Sequence, residues 1–197
     1  MSKTKIFTIA LGFVSLCLAY FLYYSIDASI EESQRITKME ARIIEQLKMI
    51  REAELAYIGV NGVYTSDWNK LLAFVDSGSF YLTEKTEFVI PLDYGADSVY
   101  IQIDTLGTVA VKDSIFKKSV WPRFNLATLP FVPGVDPPVK FDVWADKIDK
   151  SGVKVNAIEV KNPKPINPMR DEESEYNTKK PLRFGSRTNV TTAGNWE

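Results

Sequence analysis

Two short runs of this chain carry residue types capable of covalent chemistry. Ser114-Ile115-Phe116-Lys117 fits S-x-x-K, and Lys150-Ser151-Gly152 fits K-[ST]-G downstream. In serine acyl-transfer enzymes of the penicillin-recognising kind, such a pair supplies a nucleophilic hydroxyl, its lysine partner and a substrate-binding strand edge. The S-D-N-type element between them is missing, and the chain beyond its apolar N-terminal run is too short for that fold. Lys150-Ser151-Gly152 reads instead as turn chemistry. Histidine, the commonest general acid–base and metal ligand, is absent. The one cysteine, Cys17, lies in an apolar run and lacks the small residue that an acylation site needs before it, so it reads as a small apolar side chain. With these ligand types missing, a zinc or transition-metal site is not expected. No calcium loop, glycine-rich phosphate loop, G-x-S-x-G or H-E-x-x-H occurs. The expectation is no catalytic residue, no cofactor and no metal.

Charge points away from another partner class. Twenty-four basic and twenty-five acidic residues leave a net charge of −1, and no basic stripe stands out that would hold nucleic acid. Asn189-Val190-Thr191 matches a glycosylation sequon, a pattern common by chance.

The elements begin with an apolar one. Residues 6–26, IFTIALGFVSLCLAYFLYYSI, hold no charge. At ~1.5 Å per residue they make a rod of about 31 Å, the thickness of a bilayer's hydrocarbon core. Lys3 and Lys5 precede the run, and Asp27, Glu31 and Glu32 follow it. Basic residues stay on the cytoplasmic side of a span. Residues 1–5 are therefore expected in the cytoplasm and residues 27–197 in the periplasm, with a single pass through a bacterial inner membrane. The run is longer than the core of a signal peptide and no small-x-small cleavage site follows it. Tyr20, Tyr23 and Tyr24 crowd its outer end, where amphipathic rings favour the headgroup zone. A retained anchor, held by membrane lipid through residues 6–26, is the expectation.

Residues 27–58 read as an exported amphipathic helix without Pro before Gly59. Ile36, Met39, Ile43, Leu47 and Ile50 recur at three-four spacing, and Ala53 and Tyr57 extend the stripe. Such a stripe buries its apolar side only against something else. Ile36, Met39, Ile43, Leu47 and Ile50 are the candidate partner interface, for other subunits of an envelope complex or copies of this chain. Folding of the membrane-distal half onto the chain's own head is the competing expectation.

A head is expected over residues 59–162. Gly59 and Asn61-Gly62 stop the helix, and Thr65 or Ser66 caps a second one that buries Trp68, Leu71, Leu72 and Val75 and ends at Ser77-Gly78-Ser79. The period then changes to two. Phe88, Ile90 and Leu92, then Val99, Ile101 and Ile103, then Val109 and Val111 read as three short strands, separated by residues 93–97 and by Asp104-Thr105-Leu106-Gly107. A proline-rich passage over 121–138 reads as an extended crossing arm or loop. Residues 140–148 and Val153–Lys161 form a hairpin about Asp149-Lys150-Ser151-Gly152. Residues 163–197 are rich in Pro, Lys, Glu and Asn, and are expected to be an extended or disordered tail. Leu182, Phe184 and Trp196 are its candidate anchors on a partner.

One stretch resembles a known family. Ile50-Arg51-Glu52-Ala53-Glu54-Leu55-Ala56-Tyr57, then Gly62-Val63-Tyr64-Thr65-Ser66-Asp67-Trp68, then Leu71-Leu72-Ala73-Phe74-Val75 is similar to the junction in type IV pilins and type II secretion pseudopilins. There a long helix ends near an A-x-x-A-Y run, followed by N-G-x-Y and a short helix. The resemblance covers about residues 36–75 and implies a membrane-rooted helix carrying a β-rich head. The family's peptidase site is missing, and no glutamate precedes Glu31.

The fold class expected is α+β: one transmembrane helix continuing into a long exported helix, a small antiparallel β-rich head and a C-terminal tail. The function expected is that of a non-enzymatic structural or accessory subunit of a cell-envelope machine, in secretion, motility or energy transduction. The alternative is a membrane-tethered periplasmic module that binds cell wall or a partner protein.

Overall fold

Between Phe13 and Ile58 the sequence offers no Gly or Pro to break a helix. The chain forms a single helix there, α1, Lys3–Asn61. The computed structural model describes residues 3–91, 97–171 and 179–197. The expected strand position Leu92 and most of the turn after it lie outside them, as do Met1, Ser2 and residues 172–178 of the tail. α1 is long and apolar enough to cross a membrane by length and composition. It closes where Gly62, at φ 76°, donates its N–H to the carbonyl of Ile58 at 2.8 Å, a left-handed position that suits glycine.

Helix α2, Trp68–Ser77, buries Leu71 and Val75. Its cap is Asp67, whose carboxylate accepts from the Asn69 N–H at 2.9 Å. This displaces the expected caps at Thr65 and Ser66 by one or two positions. Thr65 works one step earlier, accepting the Asp67 N–H through its hydroxyl at 3.1 Å. Asp67→Ala leaves a first-turn donor without a partner and is expected to lower head stability by about 1 kcal/mol, read as a shift in the thermal midpoint. An unchanged midpoint refutes the cap's contribution.

The described residues that follow form two antiparallel sheets. The first is a ribbon of β1, Ser79–Pro91, and β2, Asp97–Ala110. The three expected strands are thus two. Asp104-Thr105-Leu106-Gly107 is no turn but part of β2, with a register shift at Leu82/Thr83 that accommodates an extra residue. Val111 leaves the strand pattern and starts a one-turn helix, α3, Val111–Ile115. The second sheet has the order β3-β4-β5, from Asp142–Lys150, Val153–Lys161 and Arg183–Gly185. Ser151 at φ 55° and Gly152 at φ 83° make the two-residue turn between β3 and β4, the left-handed pair that matches strand twist.

The proline-rich passage folds back rather than crossing as an arm. It holds a 3-10 turn at Leu126–Thr128. The Val132 N–H bonds the Val139 carbonyl at 2.8 Å, and the Phe141 N–H bonds the Pro130 carbonyl at 2.9 Å. Leu129 and Val132 are buried. One core results: Ile43, Leu47, Ile50 and Ala53 of α1, Leu71 and Val75 of α2, Phe116, Leu129, Val132 and Phe141, Ile158 and Val160 of β4, and Leu182 and Phe184 of the tail.

Candidate interaction surfaces

The stripe on α1 divides at about residue 40. Ile43, Leu47 and Ile50 are fully buried in the head's own core, so they are not available as a partner interface. The reason is reach: the Pro-rich segment brings Leu129 and Val132 down to them, and Gln46 fastens it by donating to the carbonyls of Thr128 at 2.9 Å and Leu129 at 3.0 Å. Ile36 and Met39 are half-buried. Met39 meets Gly134, where φ is 74° and a Cβ would collide with the methionine methyl. Below them, every described side chain of residues 7–35 is exposed. Residues 27–35, at ~1.5 Å each, form a neck of about 14 Å between the apolar run and the first contacts with the head.

The tail is also absorbed. Leu182 and Phe184 lie in the core, and β5 adds to β4 with Phe184 opposite Val160. Trp196 is half-buried and packs on the same core. These three residues anchor the tail to its own head, not to a partner. Apolar density is low here, and charge supplies what is missing. Glu159, almost wholly buried, takes Arg183 at 3.2 Å and Arg187 at 2.8 Å. Arg170 and Asn167 converge on Glu40 of α1 at 2.7 and 2.9 Å. Arg51 of α1 holds Glu197 at 2.6 Å, which keeps that carboxyl below its ordinary range.

A buried acid sits where α1 meets the following loop. Glu54 is 1% exposed. One carboxylate oxygen accepts the Thr65 N–H at 3.1 Å, and the other has no hydrogen-bond partner among the described residues. Burial pushes this carboxyl up to about 8, against the opposing effect of the Thr65 N–H. Tyr64 is shifted up in turn, by its own burial and by the Glu54 charge. The hydrogen bond pins the loop after α1 to the helix, a structural use for the group.

The residue types flagged for covalent chemistry are not assembled. Ser114 lies on α3 and Ser151 in the β3–β4 turn, and Lys150 donates to the Asn189 side chain at 2.9 Å, tying that turn to the tail. Among the described residues no group of three His, Cys, Asp or Glu side chains is placed to hold a metal ion.

What the sequence reading missed is the ribbon. Among the described residues β1 and β2 pair only with each other, and apolar side chains stand exposed on both faces. Phe88, Tyr100 and Ile90 share one face; Val89, Val99, Ile101 and Ile103 share the other, with Val99 56% and Ile103 64% exposed. Alternation in these strands was legible, but it marks two half-apolar faces rather than one buried face. The available signal was the absence of charge from Ser98 to Ile103, since lone sheet edges usually carry charge. A two-stranded ribbon is marginal by itself in water, which makes these exposed apolar faces the candidate interaction surface among the described residues. Comparisons with known families, with characterised proteins and with solved structures find no match to this chain.

Proposed function

We propose that this chain is a non-enzymatic, single-pass structural subunit of a multiprotein cell-envelope assembly, with its N-terminus cytoplasmic and its head in the periplasm of a bacterial inner membrane. The observation that carries the reading is one continuous helix with two unlike parts. Among the described residues, those of 7–26 present Phe, Leu and Tyr side chains outward with none packed on them, whereas residues 43–56 are seated in the head. Apolar surface left in water costs ~25 cal/mol per Å², and a bilayer removes that cost. The neck then holds the head clear of the lipid surface, and the exposed ribbon supplies contact area for other subunits.

The pilin-like plan belongs to the same proposal. In its support, Ala53 to Tyr57 fall in the last turns of α1, Asn61-Gly62-Val63-Tyr64 forms the exit loop, and Leu71 and Val75 are the buried side of α2. Polymerisation through a processed N-terminus is not part of it, because the apolar run has no glutamate.

The test combines address and company. A Cys17→Ser, Ser151→Cys variant is expected to be labelled by an impermeant maleimide in cells with only the outer membrane opened, and is then purified from native membranes in mild detergent. It is also expected to co-purify with other envelope proteins. Labelling only after rupture of the inner membrane overturns the topology, and recovery without other envelope subunits overturns the assembly role.

A further inference from the structure

The two edges of the ribbon are unlike. β1 carries Glu84, Lys85 and Glu87, the last two paired to each other at 2.6 Å. Adding a strand on that edge would desolvate all three. β2 runs Asp97-Ser98-Val99-Tyr100-Ile101-Gln102-Ile103-Asp104-Thr105. Its middle is uncharged and rich in β-branched and aromatic residues, the composition that favours strand addition. Among the described residues nothing pairs with its outer edge.

We propose that this edge is a self-association surface: two copies of the chain pair their β2 strands antiparallel about a twofold axis at Ile101, making a four-stranded sheet β1-β2-β2-β1. The sequence of β2 is complementary to its own reverse in this register. Ile101 meets Ile101, Val99 meets Ile103, Tyr100 meets Gln102, and at the two ends Asp104 meets Ser98 and Asp97 meets Thr105. Asp104 thereby faces a hydroxyl, and every β-branched apolar residue of this stretch faces another. A slip of two residues in either direction sets Asp97 against Ile103 or Asp104 against Tyr100, and a slip of one mixes the two faces. The correct register also merges the Val89-Val99-Ile101-Ile103 faces of both copies into one patch, since Val89 is already opposite Val99. An interface of this kind is isologous, as a symmetric dimer requires. The proposal depends on the ribbon alone and stands or falls separately from the membrane topology.

Single-cysteine crosslinking of the full chain in mild detergent tests it, in a Cys17→Ser background that removes the only native thiol. Ile101→Cys is expected to oxidise to a covalent dimer, because opposed residues of adjacent strands lie within disulfide reach. Thr86→Cys, on β1 opposite Gln102, is expected to stay monomeric. Val99→Cys and Ile103→Cys are expected to crosslink when mixed and hardly at all alone, since like positions lie four residues out of register. Ile101→Lys, which brings two ammonium groups together at the axis, is expected to halve the sedimenting mass without changing head melting. A wild-type monomer at micromolar concentration overturns the proposal. So does crosslinking through Thr86→Cys, or capture by Ile101→Cys of a different protein instead of its copy.

Discussion

A chain ending at Lys180 is expected to lose its cooperative melting transition. The deletion removes Leu182 and Phe184 from the core, strips β5 from the edge of β4, and leaves Glu159 buried without Arg183 or Arg187. Loss of a buried Phe alone costs about 3–5 kcal/mol, and a buried acid deprived of its partner costs a comparable amount. The two losses share neighbours and do not simply add, but together they approach the 5–15 kcal/mol that holds an ordinary domain folded. Circular dichroism on heating, with limited proteolysis of β3 and β4, is the measurement. Phe184→Ala in the intact chain is the graded version and is expected to lower stability by about 3–5 kcal/mol. A truncated head that melts like the full chain would mean the tail is an ornament on a core complete without it.

Alkaline pH is expected to loosen the head through Glu54. Its carboxyl binds a proton more tightly in the folded chain than in the unfolded one, rising from 4.5 to about 8. The contribution to stability is therefore fully present below pH 4.5, declines as pH rises toward 8, and is lost above it. The whole change is on the order of 4–5 kcal/mol. Glu54→Gln keeps an acceptor for the Thr65 N–H and removes the ionisation. Its unfolding free energy, from denaturant titrations, is expected to change far less between pH 5 and 9 and to exceed that of the wild type on the alkaline side by several kcal/mol. Parallel curves for the two proteins would assign the pH dependence to other groups.

Periodicity carried the helical part of this fold and the β3–β4 hairpin. The stripe from Ile36 to Tyr57 is one face of a helix whatever covers it, and Ser151-Gly152 between alternating runs admits few geometries. What covers the stripe was not legible. That depended on a Pro-rich segment folding down onto Ile43 and Leu47, fixed by one glutamine side chain to two carbonyls, and no local pattern encodes such a contact. The order of the tail is hidden from the sequence for a related reason. Its order comes from a three-residue strand and from Arg170, Arg183 and Arg187 meeting acids far away in sequence, so its low apolar content understated its stability. The ribbon shows the converse: its alternation was visible from Phe88 to Ile103, yet alternation says which residues share a face and not whether that face is covered.

The helix that links the apolar run to the core has no Gly or Pro from Phe13 to Ile58, and so no hinge. A rod of this kind transmits torque. Under the proposed anchoring, a neighbouring helix that fixes one side of residues 7–26 also fixes the compass bearing of the ribbon about the membrane normal. Inserting one residue into the neck, between Glu31 and Gln34, turns everything above it by about 100° while raising it only ~1.5 Å. In the proposed assembly, the bearing at which the head meets its neighbours is thus written in the number of residues below it.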